Sequence, residues 1–160
     1  MVPTRTDRPK PPGRGLDRVA APGHDDPMAL RWYTTVVDAH DVAALSRWWA
    51  AVLDWEVAYE AEDEVVIVPK YARQAMAEGM TWERTPPGLV FVPVAEHKAV
   101  KNRLHLDLAP HTSDDRDAEI ERVLGLGATR VDVGQSKDAS WGVFADPEGN
   151  EFCILSSRDR

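Results

Sequence analysis

The order of apolar and polar residues predicts two copies of one structural unit. Residues 31–37 (RWYTTVV) are rich in β-branched and aromatic residues, which is typical of a strand. Asp41 follows, and residues of this type often cap the start of a helix. After this cap comes an apolar face at helical spacing, formed by Leu45, Trp48, Trp49 and Val52. The pattern therefore predicts a strand followed by a helix.

Three more short apolar runs complete the first unit. They are residues 55–61 (WEVAYEA), 64–70 (EVVIVPK) and 88–94 (GLVFVPV), and each has the composition of a strand. The first unit is therefore predicted as βαβββ, with a long connection before its last strand.

The second half repeats this order. Residues 103–109 (RLHLDLA) alternate as a strand does, and Asp114 or Asp115 is positioned to cap the helix that follows. Three predicted strands come next: 128–133 (ATRVDV), 141–146 (WGVFAD) and 151–156 (EFCILS). Between the last two, the sequence DPEGN contains the turn residues Pro, Gly and Asn and predicts a hairpin.

Composition limits the function classes. A net charge of −8 without a Lys/Arg-rich block argues against nucleic-acid binding. No apolar run reaches the roughly 18 residues of a membrane span, and the start lacks a signal-peptide pattern, so we expect a cytoplasmic protein with no membrane partner. Residues 1–27 are rich in Pro, Gly and charge, which predicts a disordered tail before one domain at 28–160. Met28 is a candidate native start.

The two units, the run KNRLHLDL (101–108) and the ending ADPEGNEFCIL (145–155) together resemble the vicinal-oxygen-chelate superfamily and, within it, glyoxalase-like proteins. The resemblance implies an α+β fold of two βαβββ repeats, at about 29–94 and 102–156, in a curled, barrel-like mixed sheet around a central cavity. Relatives include metal-dependent enzymes and binding proteins that catalyse nothing, so the fold does not fix the function.

The resemblance implies metal ligands on the first and last strands of each unit, and in the second unit these positions hold His105 and Glu151. Strand alternation independently favours them, because Leu104, Leu106 and Leu108 are expected to face the helix and His105 the cavity. Two ligands would hold a divalent ion such as Zn, Ni, Mn or Fe.

The first unit does not complete the ligand set. The position that matches His105 is Thr34, and residues 88–94 offer no good metal ligand. Three interpretations of His105 and Glu151 therefore stay open: a weak metal site, a metal-free general acid and base, or a structural pair bonded to each other, with Asp107 orienting the imidazole.

Aromatic residues suit the walls of a pocket for a planar or hydrophobic ligand, although core filling is the simpler interpretation for any single tryptophan. The predicted ligand contacts are Trp32, Thr34, Trp82, Phe91, Asp107, Trp141 and Cys153. Residues 70–87 are long for a connection, and a short helix is expected in their first half, ended by Gly79. The segment is either a lid over the pocket or a solvated insertion.

Two functions remain open. One is a lyase or isomerase that uses His105 and Glu151, with or without a divalent ion, on a small metabolite. The other is a non-catalytic ligand- or antibiotic-binding protein, since the first unit lacks ligands and aromatic residues are abundant. Strict glyoxalase I activity is not expected. A homodimer is expected by resemblance alone.

Overall fold

The computed structural model describes residues 30–136 and 138–159. The tail predicted for residues 1–27 lies outside the described residues. The described residues from 32 onwards form one compact unit, and its helices and strands give an α+β fold.

The first half contains four strands and two helices. In chain order they are β1 (Thr34–Ala39), α1 (Val42–Leu53), β2 (Trp55–Glu60), β3 (Val65–Pro69), α2 (Lys70–Ala77) and β4 (Gly88–Pro93). A single turn of 3-10 helix at Trp82–Arg84 lies between α2 and β4. The short helix expected within residues 70–87 is confirmed, and Gly79 follows its end with a φ of 91°.

The second half contains four strands and one helix. They are β5 (Asp107–Leu108), α3 (Arg116–Gly125), β6 (Thr129–Arg130), β7 (Gly142–Ala145) and β8 (Glu151–Ile154). The predicted hairpin between β7 and β8 is confirmed, because the backbone N–H of Asp146 donates to the carbonyl of Asn150 at 3.0 Å.

The two halves have the same strand order. The first sheet runs β1-β4-β3-β2 and the second runs β5-β8-β7-β6. In each sheet the first and last strands of the unit pair in parallel, and the other neighbours are antiparallel. Two βαβββ repeats in two mixed sheets are therefore confirmed. The curling of these sheets into one barrel stays a prediction.

Local capping chemistry fixes the start of both long helices. The Asp41 side chain accepts a hydrogen bond from the N–H of Ala44 at 2.9 Å and so satisfies one free donor of α1. In α3 the cap is Asp115 rather than Asp114, and it accepts from Asp117 and Ala118.

The core joins the two halves. Trp48 and Trp49 of α1 are both buried, and each ring meets Phe152 of β8 edge to face, with centroids 5.9 and 5.3 Å apart. Arg122 of α3 donates to backbone carbonyls in the last turn of α1 at 2.9 and 3.1 Å. Core filling is therefore the correct interpretation of both helical tryptophans.

The largest difference from the sequence prediction lies at β5. A strand was predicted over 103–109, but only Asp107–Leu108 is a strand, and Leu104 is 88% exposed instead of facing the helix. The ladder of β5 with β8 joins only two residue pairs, Asp107 to Cys153 and Leu108 to Ile154, so the chain before Asp107 lies outside the strand. Leu106 and Leu108 do pack against the core as predicted.

Candidate functional site

Two neighbouring strands present polar side chains on the face of the second sheet that points away from the core. Asp107 and Cys153 are paired positions in the parallel ladder of β5 and β8, so their side chains lie on the same face. His105 precedes Asp107 by two residues and lies on that face too. On β8 the adjacent Phe152 and Ile154 are in the core.

His105 is the centre of this group. Its Nδ1 lies 3.0 Å from Oδ1 of Asp107 and 3.8 Å from Sγ of Cys153. The possible ligand atoms of the three residues all lie within 4.8 Å of one another, so this part of the described chain forms a group able to hold a divalent metal. His105 and Asp107 are exposed, whereas Cys153 is buried.

The same three residues do not form a nucleophilic triad. In such a triad the imidazole uses one nitrogen for the nucleophile and the other for the carboxylate, but here both contacts are made by Nδ1. Burial, together with the neighbouring Asp107, raises the pKa of the Cys153 thiol to about 11. An activated nucleophilic cysteine has a lowered pKa instead.

Glu151 has a different set of partners. Its Oε2 lies 2.8 Å from Nζ of Lys98 and accepts the backbone N–H of Asn102 at 3.0 Å. Both side chains of the ion pair are largely buried, at 18% exposure for Lys98 and 13% for Glu151. Burial opposes the charge of Glu151, but the bonds from Lys98 and Asn102 outweigh it and hold the pKa of this carboxyl below its ordinary value.

His105 and Glu151 therefore line the same cavity without sharing partners. This second-sheet cavity has a volume of about 270 Å³. It is lined by Lys101, His105, Asp107, Val133, Trp141, Val143, Glu151, Phe152, Cys153 and Leu155. Its walls are mostly apolar, and Lys101, His105, Asp107 and Glu151 supply its charged or polar groups.

A second opening, the junction cleft, lies between β1 and the segment 102–106. Its volume is about 490 Å³, and its lining includes Trp32, Val37, Asn102, His105 and Glu151. His105 and Glu151 thus stand between the two cavities, where a molecule in either one can reach them.

Of the other residues predicted to contact a ligand, some line a cavity and others do not. Trp141 lines the second-sheet cavity, and Trp32 lines the junction cleft, where its indole N–H donates to the carbonyl of Thr34 at 3.0 Å. The Thr34 hydroxyl donates to the carbonyl of Gly88 at 3.0 Å and so serves the pairing of β1 with β4.

Phe91 and Trp82 lie elsewhere. Phe91, predicted to contact ligand, is fully buried in the core, and that contact stays a prediction. Its strand β4 alternates, and Leu89 and Phe91 both lie on the buried face. Trp82 is half exposed and stacks on Tyr33, with ring centroids 5.4 Å apart, instead of lining the second-sheet cavity. Helix α2 packs beside β2 and β3, where Arg73 donates to the carbonyl of Val57 at 3.1 Å.

The metal pair implied by the resemblance, His105 with Glu151, does not fit a divalent ion well here. The Glu151 carboxylate already has an ammonium group at 2.8 Å, so a metal at this oxygen would have to displace Lys98 or lie beside its positive charge. The nearest partners of His105 are Asp107 and Cys153.

Sequence reasoning did not identify Lys98, Lys101 or Asn102 as site residues. All three lie in an irregular segment between β4 and β5, where side-chain direction follows no period. The one available signal was their closeness in sequence to His105, which does not show that Lys98 reaches Glu151.

Two mixed sheets, each with the strand order of one βαβββ repeat, are the arrangement that the resemblance to the vicinal-oxygen-chelate superfamily implies. Residues 34–155 match the family model described as Glyoxalase-like domain, and the chain belongs to that family. Among curated proteins no match was found.

Solved structures share the fold at low sequence identity. The fosfomycin resistance protein FosX from Mesorhizobium loti is 15% identical with a TM-score of 0.57, over 82% of this chain and 95% of that one. A glyoxalase/bleomycin resistance protein/dioxygenase family enzyme from Burkholderia phytofirmans is 14% identical with a TM-score of 0.58, over 81% and 100%.

A third similar structure is FosX from Listeria monocytogenes in complex with Mn(II) and sulfate. It is 10% identical with a TM-score of 0.59, over 82% of this chain and 93% of that one.

Within the described part of this chain, no helix has the length and apolar character needed to cross a membrane.

Proposed function

We propose that this chain binds a small metabolite in the second-sheet cavity, with His105 as the polar anchor. The observation that carries the proposal is the position of the imidazole, bonded to Asp107 at 3.0 Å on the wall of a largely apolar cavity. Convergent polar groups in an apolar pocket are the usual mark of a small-molecule site.

The lining favours a ligand with a hydrophobic or aromatic body and one polar end. Trp141, Val133 and Val143 supply apolar walls, and Lys101 together with His105 supplies the polar side. The volume of about 270 Å³ is near the lower limit for ligand pockets, which favours a small metabolite over a drug-sized molecule.

If the protein is an enzyme, we propose a lyase or isomerase in which His105 moves the proton. Oδ1 of Asp107 accepts a hydrogen bond from the Nδ1–H of His105 and fixes the ring, and Nε2 has no hydrogen-bond partner among the described residues. An imidazole nitrogen can take up and release a proton, as a general acid or base requires. Glu151 was also predicted to be catalytic. Its lowered pKa keeps it ionised near neutral pH, which suits a base or an orienting group and not an acid.

A non-catalytic binding protein is the second candidate. Two observations favour it: the Glu151 carboxylate is paired with Lys98, and the Thr34 hydroxyl is used by the first sheet. The similar structures include a fosfomycin resistance protein and a glyoxalase/bleomycin resistance protein/dioxygenase family enzyme. We further propose a cytoplasmic homodimer, on the superfamily resemblance, and a curled arrangement of the sheets around the ligand.

Quenching of tryptophan fluorescence by 4-nitrobenzoate tests the binding proposal. This probe has an aromatic body and one anionic group, and the neutral 4-nitrobenzyl alcohol is its matched control. We expect saturable quenching that is stronger for the acid, and a smaller amplitude in Trp141→Phe. Quenching that does not saturate, or that is unchanged in Trp141→Phe, would contradict the proposed site.

Product analysis separates the two candidate functions. Ligands captured from a metabolite extract are incubated with the wild-type protein and with His105→Ala, and their masses and chromatographic retention are compared. An enzyme converts the ligand in the wild type and loses this conversion in His105→Ala. A binding protein returns every captured compound unchanged.

A further inference from the structure

We propose that His105, Asp107 and Cys153 form a binding site for a thiophilic divalent metal of the zinc type, and that Glu151 is not a ligand. The inference rests on the proposed function only in placing a site at the second-sheet cavity. The proposed ligand atoms are Nδ1 of His105, a carboxylate oxygen of Asp107 and Sγ of Cys153.

The distances between these atoms suit tetrahedral coordination. Zinc bonds of about 2.0–2.3 Å at tetrahedral angles place neighbouring ligand atoms about 3.3–3.6 Å apart. The observed separations from Nδ1 are 3.0 Å to Asp107 and 3.8 Å to Cys153. The first lies about 0.3 Å below that range and the second about 0.2 Å above it, and all three ligand atoms lie within 4.8 Å of one another, so side-chain rotations can bring them to it.

The backbone fixes the relative positions of the ligands. Asp107 and Cys153 are paired residues on adjacent parallel strands, and His105 lies two residues before Asp107. Ligands on paired strands need little reorganisation when the ion binds. The Cys153 side chain is buried, while His105 and Asp107 are exposed, so an ion can enter from the solvent side.

Charge favours this set over the pair of His105 with Glu151. A thiolate and a carboxylate together balance a divalent ion, and the thiol proton passes to solvent as the sulfur–metal bond forms. Glu151, in contrast, already has its charge balanced by Lys98 at 2.8 Å. The sulfur ligand selects metal identity, because thiolate and imidazole suit zinc and cobalt better than magnesium or manganese.

Three protein ligands leave the fourth coordination position open. All three residues line the second-sheet cavity, so that position faces the space proposed for the ligand. This is the arrangement of a catalytic-type zinc site, whereas structural zinc sites have four protein ligands. The metal would then polarise an oxygen of the bound molecule.

Cobalt absorbance on the full-length, chelator-treated protein tests the site, with Co²⁺ alone as the probe. A cobalt–thiolate bond gives a charge-transfer band in the near ultraviolet, and zinc should abolish the band by competition. We expect Cys153→Ser to lose the band. Asp107→Asn and His105→Ala should weaken cobalt binding at least about tenfold, because the loss of a residue that only hydrogen-bonds a metal ligand already has an effect of about this size.

Two variants serve as controls. Glu151→Gln should keep both the band and the affinity, whereas a site built on His105 and Glu151 would lose affinity in Glu151→Gln and keep it in Cys153→Ser. His97→Ala should behave as wild type. It tests the exposed His97, whose ring stacks on His40 at 4.2 Å, as an adventitious site. Circular dichroism checks that each variant is folded.

The proposal is overturned if the wild type shows no charge-transfer band, or if Cys153→Ser binds cobalt as tightly as wild type. Quenching by 4-nitrobenzoate in the presence of a chelator is independent of these results. A failure of the metal site therefore leaves saturable quenching intact, and a failure of the ligand cavity leaves the cobalt band intact.

Discussion

The indole N–H of Trp49 donates a hydrogen bond of 3.1 Å to Oδ2 of Asp146, and both residues are buried. Trp49 belongs to α1 of the first half, and Asp146 begins the β7–β8 hairpin of the second. The same carboxylate also accepts from the N–H groups of Glu148 and Asn150 at 3.0 and 2.9 Å. This buried aspartate therefore holds the hairpin turn and joins it to the first helix.

Trp49→Phe should destabilise the fold more than Trp48→Phe. Trp49 donates to a charged carboxylate, and such bonds contribute about 1.5–3 kcal/mol. Trp48 donates to the carbonyl of Leu126 at 3.0 Å, a neutral bond of about 0.5–1.5 kcal/mol. The loss of ring volume is the same in both variants. Urea unfolding measures the difference, and an equal or reversed order would show that Asp146 does not join the halves in this way.

The pair of Lys98 and Glu151 should stabilise the protein in a pH-dependent manner. The pKa of Glu151 in the folded state lies below its ordinary value of 4.5, so the stabilisation is present above that value and is lost as the pH falls through the lowered pKa. Lys98→Met should therefore lower the free energy of unfolding near neutral pH, by on the order of 1–2 kcal/mol, between the values for exposed and buried pairs.

Urea unfolding of Lys98→Met and wild type with chelator present, near pH 7 and near pH 4, measures this effect. Arg47→Met is the matched control, because Arg47 and Glu60 form an ion pair at 2.7 Å whose side chains are half exposed. The control should lose less than about 1 kcal/mol. A difference for Lys98→Met that stays constant or grows on acidification would contradict the assigned pairing.

The protein should be a dimer in solution. This prediction comes from the superfamily resemblance, and the surface carries exposed aromatic residues that association would cover. Trp32, Tyr33 and Trp82 are 64%, 61% and 51% exposed. Light scattering coupled to gel filtration should give about twice the chain mass of 17.8 kDa. A mass equal to one chain at all concentrations would show that this expectation is wrong.

Features set by local chemistry were predicted well from sequence. The caps at Asp41 and Asp115 and the β7–β8 hairpin each depend on a few adjacent residues, although sequence alone left Asp114 open as the cap. The common face of His105 and Asp107 followed from alternation. Strand β5 begins only at Asp107, but His105, two residues earlier, still lies on the same face.

Features set by distant partners were not predictable. Only two residues of the strand predicted over 103–109 pair with β8, and Leu104, which precedes that ladder, is exposed. The pairing of Glu151 with Lys98 depends on the path of an irregular segment. Phe91 was assigned to the cavity, but only the orientation of the sheet against α1 decides which face of β4 is buried.

The most direct test of the central claim, that the ligand lies in the second-sheet cavity, is the dissociation constant of 4-nitrobenzoate for two matched variants. Val143→Phe would fill that cavity from β7, next to Cys153. Val90→Phe adds the same volume on β4 of the first sheet, on the face opposite Phe91. We predict that Val143→Phe weakens binding at least about tenfold, the effect of losing about 1.4 kcal/mol, while Val90→Phe binds as wild type. Unchanged binding by Val143→Phe, or loss of binding in Val90→Phe alone, would contradict the account.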